Sequence, residues 1–575
     1  MKRYWKYIRP YIQYYILGPC FMMMEVVGDV LLPYMLAKII NQGIAERNVA
    51  YIIKIGAIMG LIAVIMAVGG VLGAWFASKA AMNFGADLRM DLFEKIQQFS
   101  FQNIDNFSTG SLITRLTNDI TQIQNMIMMT LRMCLRSPGI LIGAMVMAFV
   151  ISPKMAAIFI IVPPVLAVLI VVIMRRAFPQ FRTLQEKLDA LNSCIQEGLV
   201  GIRLIKSFVR GDYEEMRFEK RNQQLKEANL TAMKTMLLYT PLMTLALNIT
   251  TVVVVWSGGN MIVAGNMQVG DLTAFTNYIV QIMSSLTMLS IAFLNWARAI
   301  ASFRRVGEVL NEKIDLTDEN AKHKDRAVCE GSVEFQNVSF RYYKNSPEWV
   351  IENISFKLEA GKTLGIIGST GSGKSTLVSM IPRLYDTDEG TVLVDGINVR
   401  DYGLKPLREG IGMVLQNNTL FSGSITENLK WGDEHADEKA VRKAAQNAQA
   451  AGFIDSFKDG YRTRLEQSGN NVSGGQKQRL CIARALLKCP KILILDDSTS
   501  AVDTATERAI REALHSEYKD MTKIIIAQRI RSVMDADEIL VLDNGKTAGF
   551  GTHEQLLADC PVYREIYDVQ NGREE

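Results

Sequence analysis

A glycine-rich turn between an apolar strand and an apolar helix carries the clearest chemical signal in this sequence. The run TLGIIGSTGSGKSTLVSM covers residues 363–380 and places Lys374 and Ser375 at the end of the turn. Glycines let the backbone curl so that its N–H groups face phosphate oxygens, and the helix that follows adds positive potential. This pattern predicts a phosphate-binding loop, with Lys374 on the β- and γ-phosphates and the Ser375 hydroxyl on Mg²⁺. The residues expected to contact the nucleotide here are Gly368, Ser369, Thr370, Gly371, Ser372, Gly373, Lys374, Ser375 and Thr376.

An acidic residue after the apolar strand KILILDD predicts the metal side of the same site. Asp496 ends that strand, and a carboxylate in this position holds Mg²⁺ directly or through water. The alternative is an aspartate that only caps the strand end. The phosphate-binding loop upstream favours the metal ligand, so we expect Asp496 to act together with Ser375.

The elements before this site are too apolar for a wholly soluble protein. Of 575 residues, 49% are hydrophobic and 21% are charged, whereas soluble domains carry roughly 25% charged residues. About 20 apolar residues cross a bilayer as a helix, and six runs qualify or come close. They are Pro10–Pro33, Ile55–Ser78, Ser137–Pro153, Met155–Met174, Thr235–Gly270 and Leu272–Ala297. The sequence therefore predicts a multi-pass protein of the lipid bilayer.

Charge and cysteine content exclude several other classes of protein. A net charge of +4 over this length gives no reason to expect nucleic acid as a partner. Seven irregularly spaced cysteines are typical of ordinary thiols and not of a disulfide scaffold or a metal site. The basic, apolar start of the chain is interpreted as a signal anchor, because no small-residue cleavage site follows it.

Basic residues near the ends of the spans predict the orientation. Four of them precede the first span, and twelve lie in 175–234, whereas the intervening short loops carry few. Both termini and both long loops, about residues 80–130 and 176–235, are therefore expected in the cytoplasm, at the plasma (inner) membrane. Helical spacing of apolar residues in those loops predicts that the spans continue as long cytoplasmic helices.

These elements together predict an α-helical polytopic membrane domain of six spans fused to an α/β P-loop nucleotide-binding domain. We expect the membrane domain at residues 1–310, a polar linker at 311–329 and the nucleotide-binding domain at 330–575. Alternating strands and helices after residue 332 favour the α/β class for the second domain.

The segment NVSGGQKQR, residues 471–479, makes the chain recognisable. VSGGQ resembles the LSGGQ signature of ATP-binding cassette (ABC) proteins, and the chain resembles an ABC exporter half-transporter along its whole length. The resemblance implies ATP and Mg²⁺ as cofactors, a head-to-tail pair of nucleotide domains, and coupling helices near Phe107–Asp119 and Gly211–Phe218. It implies further nucleotide contacts at Tyr342, which would stack on adenine, at Gln416, which would also reach Mg²⁺, and at Ser473, Gly474, Gly475, Gln476 and Asp503.

Three positions depart from the family pattern. The catalytic glutamate is replaced by Asp497 and the switch histidine by Gln528, and Gln467 stands where an acidic residue is usual. We expect Asp497 and Gln528 to be the catalytic positions of a site that binds ATP and hydrolyses it poorly. The intact signature would then serve a second, non-identical half-transporter. The resemblance thus predicts one subunit of a heterodimeric, multidrug-type ATP-driven exporter.

Two alternatives to the heterodimer remain open at the level of sequence. One is a homodimeric exporter with slow turnover, and the other is an ATP-gated regulatory membrane module that does not pump. Because no peptidase-like domain precedes the first span, export with leader cleavage is not expected. The default substrate is a small hydrophobic molecule.

Two carboxylates within the first predicted span need an explanation. Glu25 and Asp29 lie four residues apart, on one helical face, at a depth where charges usually face a polar cavity or a partner. One hypothesis is that they line the substrate cavity and recognise cations. The other is that they pair with Arg132 or Arg136 of another span.

Overall fold

The structure, a computed structural model, describes residues 4–344 and 346–571. It consists of two compact units. The first comprises Met1–Gln97 and Thr109–Asn311, and the second comprises Gln98–Ser108 and Glu312–Glu575. The second unit thus includes a short segment that precedes residue 311 in the sequence.

Six helical segments among the described residues are long and apolar enough to cross a membrane, as predicted. Each contains 40–53 residues, about twice the ~20 that a bilayer requires, so each helix extends well beyond its apolar part. The six segments are Trp5–Ile44, Val49–Gln97, Thr109–Ile151, Pro153–Val200, Gly211–Val263 and Val269–Asn311.

Helices account for nearly all of the first unit. In chain order, including one helix of the second unit, they are α1 (Trp5–Ile8), α2 (Ile12–Lys38), α3 (Val49–Gln97), α4 (Phe101–Asp105, in the second unit), α5 (Thr109–Thr114), α6 (Ile120–Met133), α7 (Arg136–Ile151), α8 (Pro153–Val200), α9 (Ile202–Ser207), α10 (Gly211–Leu237), α11 (Tyr239–Val263) and α12 (Val269–Asn311). Most of the long apolar run at 235–270 forms α11, which ends at Val263.

Small residues allow α2 and α3 to pack closely. A Cβ atom added at Gly73 would lie 3.1 Å from the carbonyl oxygen of Gly18, and one added at Gly18 would lie 3.4 Å from the backbone nitrogen of Ala77. Without a hydrophobic driving force between helices in lipid, such close van der Waals packing is a main source of helix association.

The segment Gln98–Ser108 belongs to the second unit, although in the sequence it lies between parts of the first. Ser100 and Asn103 form a capping box that starts α4. The Asn103 amide donates to the carbonyl oxygen of Lys313 at 2.9 Å, and the Tyr385 hydroxyl donates to Asp105 at 2.9 Å. These hydrogen bonds tie α4 to the second unit, whereas α5 remains in the first.

The stretch expected as a polar linker, 311–329, also packs within the second unit from Glu312 onward. Leu316, Ala321 and Val328 are buried there, and the backbone N–H of His323 donates to the carbonyl oxygen of Asp401 at 2.7 Å. The polar linker thus contributes three buried apolar side chains to the second unit.

A six-stranded sheet of mostly parallel strands forms the centre of the second unit. The strands of this unit are β1 (Val333–Phe340), β2 (Ile351–Leu358), β3 (Thr363–Gly368), β4 (Glu389–Val394), β5 (Ile397–Asn398), β6 (Ile411–Val414), β7 (Gly423–Ser424), β8 (Arg464–Leu465), β9 (Ile492–Asp496), β10 (Thr522–Ile526), β11 (Glu538–Asp543) and β12 (Lys546–Gly551). The order of the central sheet is β12-β11-β3-β10-β9-β6, beside a four-stranded antiparallel sheet of order β2-β1-β4-β5 and a small pair β7-β8.

Helices connect and cover these strands. They are α13 (Lys374–Ser379), α14 (Leu404–Glu409), α15 (Ile425–Leu429), α16 (Glu438–Asn447), α17 (Ala451–Ser456), α18 (Gly474–Leu487), α19 (Thr504–Glu517), α20 (His553–Asp559) and α21 (Pro561–Asn571). The predicted fold class is thus confirmed, with a helical membrane unit and an α/β unit.

Parallel register brings the functional loops to one edge of the central sheet. Ile526 of β10 pairs with Ile366 of β3 on one side and with Asp496 of β9 on the other. The loops after these three strands therefore leave from neighbouring carboxyl ends, which is where ligands bind in open α/β sheets.

Candidate nucleotide site

The phosphate-binding loop starts from the buried middle of the central sheet. β3 lies between β10 and β11, and its residues from Leu364 to Ile367 are buried. The chain then turns with Gly371 and Gly373 at φ of 85° and 91°, conformations that side chains rarely adopt. At Gly373 a Cβ would also lie 2.9 Å from the carbonyl oxygen of Val350, so both backbone conformation and space require glycine there.

Lys374 is held inside this loop by backbone carbonyl groups. Its Nζ donates to the carbonyl oxygens of Gly368 at 2.9 Å and of Ser369 at 2.7 Å. Burial lowers the pKa of Lys374, while the carboxylates of Asp496 and Asp497 oppose this shift. Phosphate oxygens arriving at the loop would replace the carbonyls as acceptors and give the ammonium group a partner of opposite charge.

Ser375 and Asp496 lie next to each other at the edge of the sheet. The Ser375 hydroxyl donates to Oδ1 of Asp496 at 2.9 Å. Burial raises the pKa of Asp496, and the neighbouring Asp497 adds to the effect, whereas the Ser375 hydrogen bond and Lys374 lower it. Two hard oxygen donors side by side fit Mg²⁺, which binds through one or two carboxylates together with substrate phosphates and water. Bound there, Mg²⁺ would neutralise charge on the phosphates.

The two unusual residues, Asp497 and Gln528, contact each other. The Gln528 amide Nε2 donates to Oδ2 of Asp497 at 2.9 Å. Asp497 adopts a φ of 46°, and its backbone N–H donates to the carbonyl oxygen of Ile526 at 3.1 Å. Burial raises the pKa of Asp497, against the lowering effects of the Gln528 hydrogen bond, Lys374 and Arg529. One carboxylate oxygen of Asp497 is thus already engaged by a neutral amide.

Tyr342 stands beside the loop in a fixed position. Its hydroxyl lies 2.9 Å from Oγ1 of Thr376, at the start of α13. Its ring meets the rings of Tyr385 and Phe340 edge-on, with centroids 5.3 Å and 5.1 Å away. Tyr342 as a whole remains 37% exposed, which leaves surface for a stacked base.

The signature residues begin α18. Ser473 and Gln476 form a reciprocal capping box at its first turn. A Cβ at Gly475 would lie 2.7 Å from the carbonyl oxygen of Ala501, so the glycine allows α18 to touch the segment that follows Asp497. Gly474 lies in the same turn, with Ala501 as its nearest neighbour.

Asp503 and Gln416 have surroundings unlike those expected of direct ligands. Asp503 caps α19 by accepting the backbone N–H of Thr506 at 3.0 Å, and this hydrogen bond lowers the pKa of Asp503. Gln416 is exposed, and among the described residues no hydrogen bond joins its side chain to Ser375 or Asp496. The structure therefore brings together Ser375 and Asp496, but leaves Gln416 outside that pair.

Comparison with known proteins identifies the chain. The family description "ABC transporter transmembrane region" matches residues 15–286, and "ABC transporter" matches residues 351–500. The uncharacterized ABC transporter ATP-binding protein YfiB of Bacillus subtilis is 39% identical over 574 residues, covering 100% of this chain and 99% of that protein. This chain belongs to the ABC transporter family.

Other proteins similar to this ABC transporter are also named as ABC transporter or export proteins. The uncharacterized ABC transporter ATP-binding protein MT1311 of Mycobacterium tuberculosis is 37% identical over 98% of this chain and 97% of its own. The putative multidrug export ATP-binding/permease protein YgaD of Bacillus subtilis is 33% identical over 99% of both chains.

A solved structure shares the fold of the ABC transporter. A bacterial Atm1-family ABC exporter with ATP bound aligns with a TM-score of 0.80, at 24% identity and over 98% of each chain. The present chain is therefore a half-transporter with the ABC exporter fold, embedded in the membrane by its first unit and carrying an ABC ATPase domain that binds ATP.

Sequence reasoning missed several residues of this ABC transporter's site. Gln478 connects the signature helix to the segment after Asp497, because its amide donates to Ser500 at 3.2 Å and accepts the backbone N–H of Ala501 at 3.0 Å. Buried Glu507 accepts hydrogen bonds from Thr499 and Ser532. These contacts join residues far apart in the chain, and no local pattern indicates them.

In the membrane unit of the ABC transporter, Glu25 and Asp29 pair with Arg136. The guanidinium group lies 3.0 Å from Oε1 of Glu25 and 3.3 Å from Oδ2 of Asp29. Two carboxylates share one cation, so the cluster retains a net negative charge when all three are ionised. Glu25 also lines a cavity of about 470 Å³ with residues of α2 and α3, among them Gly70 and Met66.

Proposed function

We propose that this chain is one half of an ATP-driven exporter whose own nucleotide site holds ATP and hydrolyses it slowly. The observation that carries the proposal is the 2.9 Å hydrogen bond from Gln528 to Asp497. It joins two of the three positions at which the chain departs from the family pattern, and these two concern the γ-phosphate and the attacking water.

Asp497 is a poor base here for geometric reasons. Its side chain is one methylene group shorter than glutamate, and Oδ2 is occupied by the Gln528 amide. A misplacement of about 1 Å at a reacting centre reduces rates on the order of 100-fold. Gln528 can donate a hydrogen bond to a γ-phosphate, but it adds no positive charge to the transition state.

The intact signature supports a partner of different sequence. In a head-to-tail dimer, Ser473 and the start of α18 would face the phosphate-binding loop of the opposing chain. We propose a second, non-identical half-transporter that has glutamate and histidine where this chain has Asp497 and Gln528. In this arrangement ATP bound by Lys374 stabilises the dimer, while hydrolysis at the other site drives the cycle.

We propose the following roles for the residues of the site. Lys374 and the loop amides bind the phosphates, Ser375 and Asp496 hold Mg²⁺, and Tyr342 stacks on the base. Gln416 and Asp503 would approach the nucleotide only when the dimer closes. The distribution of basic residues supports a plasma (inner) membrane location with both termini in the cytoplasm.

The proposed substrate is a small hydrophobic molecule taken from the membrane. One relative bears the name of a putative multidrug export protein, which supports this class. Glu25, with a carboxylate at the wall of a cavity, is the proposed contact for a cationic group on such a substrate.

The proposal is tested by measuring Mg²⁺-ATP turnover by this chain alone and then together with the half-transporter encoded beside its gene. We expect negligible turnover alone and strong turnover together, which Asp497→Asn leaves in place. Robust turnover by the chain alone, abolished by Asp497→Asn, would mean that Asp497 is a working base in a homodimer. Gating by ATP that persists with a partner unable to hydrolyse it would favour the regulatory module.

A further inference from the structure

Helix α21 holds the loop that follows β10 and carries Gln528. The side-chain amide of Gln570, in α21, contacts the backbone on both sides of Arg529 in that loop. Its Nε2 donates to the carbonyl oxygen of Gln528 at 2.8 Å, and its Oε1 accepts the backbone N–H of Ile530 at 2.8 Å. A side-chain amide offers one carbonyl and one NH₂ group, so both ends of Gln570 bind this one short stretch of backbone.

The helix gives Gln570 a fixed base. Tyr563, earlier in α21, is fully buried and belongs to the apolar core that also contains Ala527 and Ile530 of the loop. The Tyr563 hydroxyl lies 2.7 Å from Nδ1 of His553, at the start of α20. Helix and loop thus pack on one core, and polar contacts supported by such packing keep their geometry.

The far end of the same loop is held by α19. The Ser532 hydroxyl donates to the carboxylate of buried Glu507 in that helix. Two helices therefore restrain the backbone of residues 528–532, and Gln570 does so at the end where Gln528 lies.

The residue that Gln570 holds is the one that binds Asp497. Gln528 accepts from Gln570 through its backbone carbonyl, and it donates to Oδ2 of Asp497 through its side-chain amide at 2.9 Å. A glutamine side chain has several rotamers, and a fixed backbone leaves fewer of them that reach a given acceptor. A continuous series of hydrogen bonds therefore leads from α21 to the carboxylate at the position of the catalytic base.

We propose that Gln570 is a positioning residue that holds the Gln528 amide on Asp497 and so keeps this nucleotide site slow. The inference rests on the proposed function, since it concerns why ATP is retained at the Lys374 site. Gln570 acts on the reaction only through Gln528. Loss of its two hydrogen bonds frees the loop, lets the amide leave the carboxylate, and returns Oδ2 of Asp497 to the attacking water.

The test follows the ATP retained at the Lys374 site of the transporter assembled from this chain and the half-transporter encoded beside its gene. The complex, in lipid nanodiscs, is loaded with radiolabelled Mg²⁺-ATP and separated from free nucleotide, and the conversion of retained ATP to ADP is timed. We expect Gln570→Ala to speed this conversion about fivefold, within the range for the loss of one hydrogen bond, and to leave the dissociation constant for ATP unchanged. Gln570→Glu keeps the acceptor for Ile530 but cannot donate to the carbonyl of Gln528, so it should act in the same direction.

A second substitution separates positioning from a general loss of structure. Gln528→Ala alone should speed the conversion by a similar factor, because it removes the amide that Gln570 positions. In the Gln528→Ala background, Gln570→Ala should have no further effect, since substitutions that act through one contact are not additive. A purely structural role of Gln570 predicts the same factor in both backgrounds.

Val569→Ala is the matched control, since its exposed side chain directly precedes Gln570 in α21. It should leave the conversion rate unchanged. Unchanged or slower conversion in Gln570→Ala, or an equal effect in both backgrounds, would overturn the role of Gln570 alone. Absence of any retained ATP that Lys374→Ala removes would instead overturn the proposed function.

Discussion

One methylene group and one charge separate this site from the usual pattern of its family. Asp497 has a shorter side chain than the glutamate it replaces, and Gln528 has a neutral side chain in place of the histidine. The Gln528 amide donates a hydrogen bond to the Asp497 carboxylate at 2.9 Å. The longer side chain of a glutamate at position 497 would have to displace the Gln528 amide or extend beyond it. The departures therefore act as a pair, and restoring one residue alone would leave the other in conflict with it.

The raised pKa of Asp497 gives a prediction for stability. The folded protein binds this proton more tightly than the unfolded chain, so the free energy of unfolding falls as the pH rises from the ordinary pKa of 3.8 through the raised value. At neutral pH the ionised, partly buried carboxylate of Asp497 therefore still lowers the free energy of unfolding. Asp497→Asn removes it, and asparagine also tolerates the positive φ.

We expect Asp497→Asn to raise the Tm at pH 7 by on the order of 1–3 °C, measured without nucleotide or Mg²⁺. The gain should shrink as the pH approaches the ordinary aspartate pKa of 3.8. Asp520→Asn, an exposed control, should leave the Tm unchanged. A gain of the same size at both pH values would show that ionisation is not its cause.

At the scale of elements, the phosphate-binding loop depends on two glycines for different reasons. Both have positive φ, but a Cβ at Gly371 meets open space, whereas one at Gly373 meets Ile351 at 2.7 Å and the carbonyl of Val350 at 2.9 Å. Alanine at either position adopts a left-handed conformation, which costs about 1–2 kcal/mol. Overpacking at Gly373 adds a further ~1–3 kcal/mol.

Gly371→Ala should therefore lower the free energy of unfolding modestly, and Gly373→Ala should lower it clearly more and weaken ATP binding more. Denaturant unfolding and nucleotide displacement on the two variants provide the comparison. Equal losses of stability in both variants would contradict the steric argument at Gly373.

Local patterns predicted the elements of this protein better than their assembly. The loop from Gly368 to Ser375 and the strand that ends at Asp496 are each contiguous motifs, and the presence of the loop favoured Asp496 as the metal ligand that acts together with Ser375. The six spans followed from apolar runs in the same way. The segment Gln98–Ser108, in contrast, belongs to the second unit through Asn103 and Asp105, whose partners lie more than two hundred residues away.

At the scale of the whole molecule, two carboxylates of α2 bear on which substrates the membrane unit transports. Arg136 forms ion pairs with both carboxylates of α2. This pairing offsets the cost of placing charged groups within a membrane-spanning helix. Glu25 lines the cavity of about 470 Å³ described above, and Asp29 is not among the residues of its wall that the structure describes. The two carboxylates therefore provide a matched pair, since both bind the same arginine and one of them also lines this cavity.

We expect Glu25→Gln to reduce the stimulation of ATPase activity by a lipophilic cation several-fold, and to leave stimulation by a neutral molecule of similar size intact. Asp29→Asn, which removes the other partner of Arg136, should affect the two compounds alike. Measurements use the assembled transporter in nanodiscs. Unchanged cation stimulation in both variants, and in their combination, would rule out cation recognition at this cluster.

The most direct test of the central claim is the identity of the nucleotide that stays bound at the Lys374 site. The assembled transporter turns over Mg²⁺-ATP labelled in the base, is separated rapidly from free nucleotide, and its bound nucleotides are extracted. We predict retained, unhydrolysed ATP that Lys374→Ala removes and that the double substitution Asp497→Glu with Gln528→His converts to ADP. Finding only ADP in the unsubstituted protein would contradict the claim.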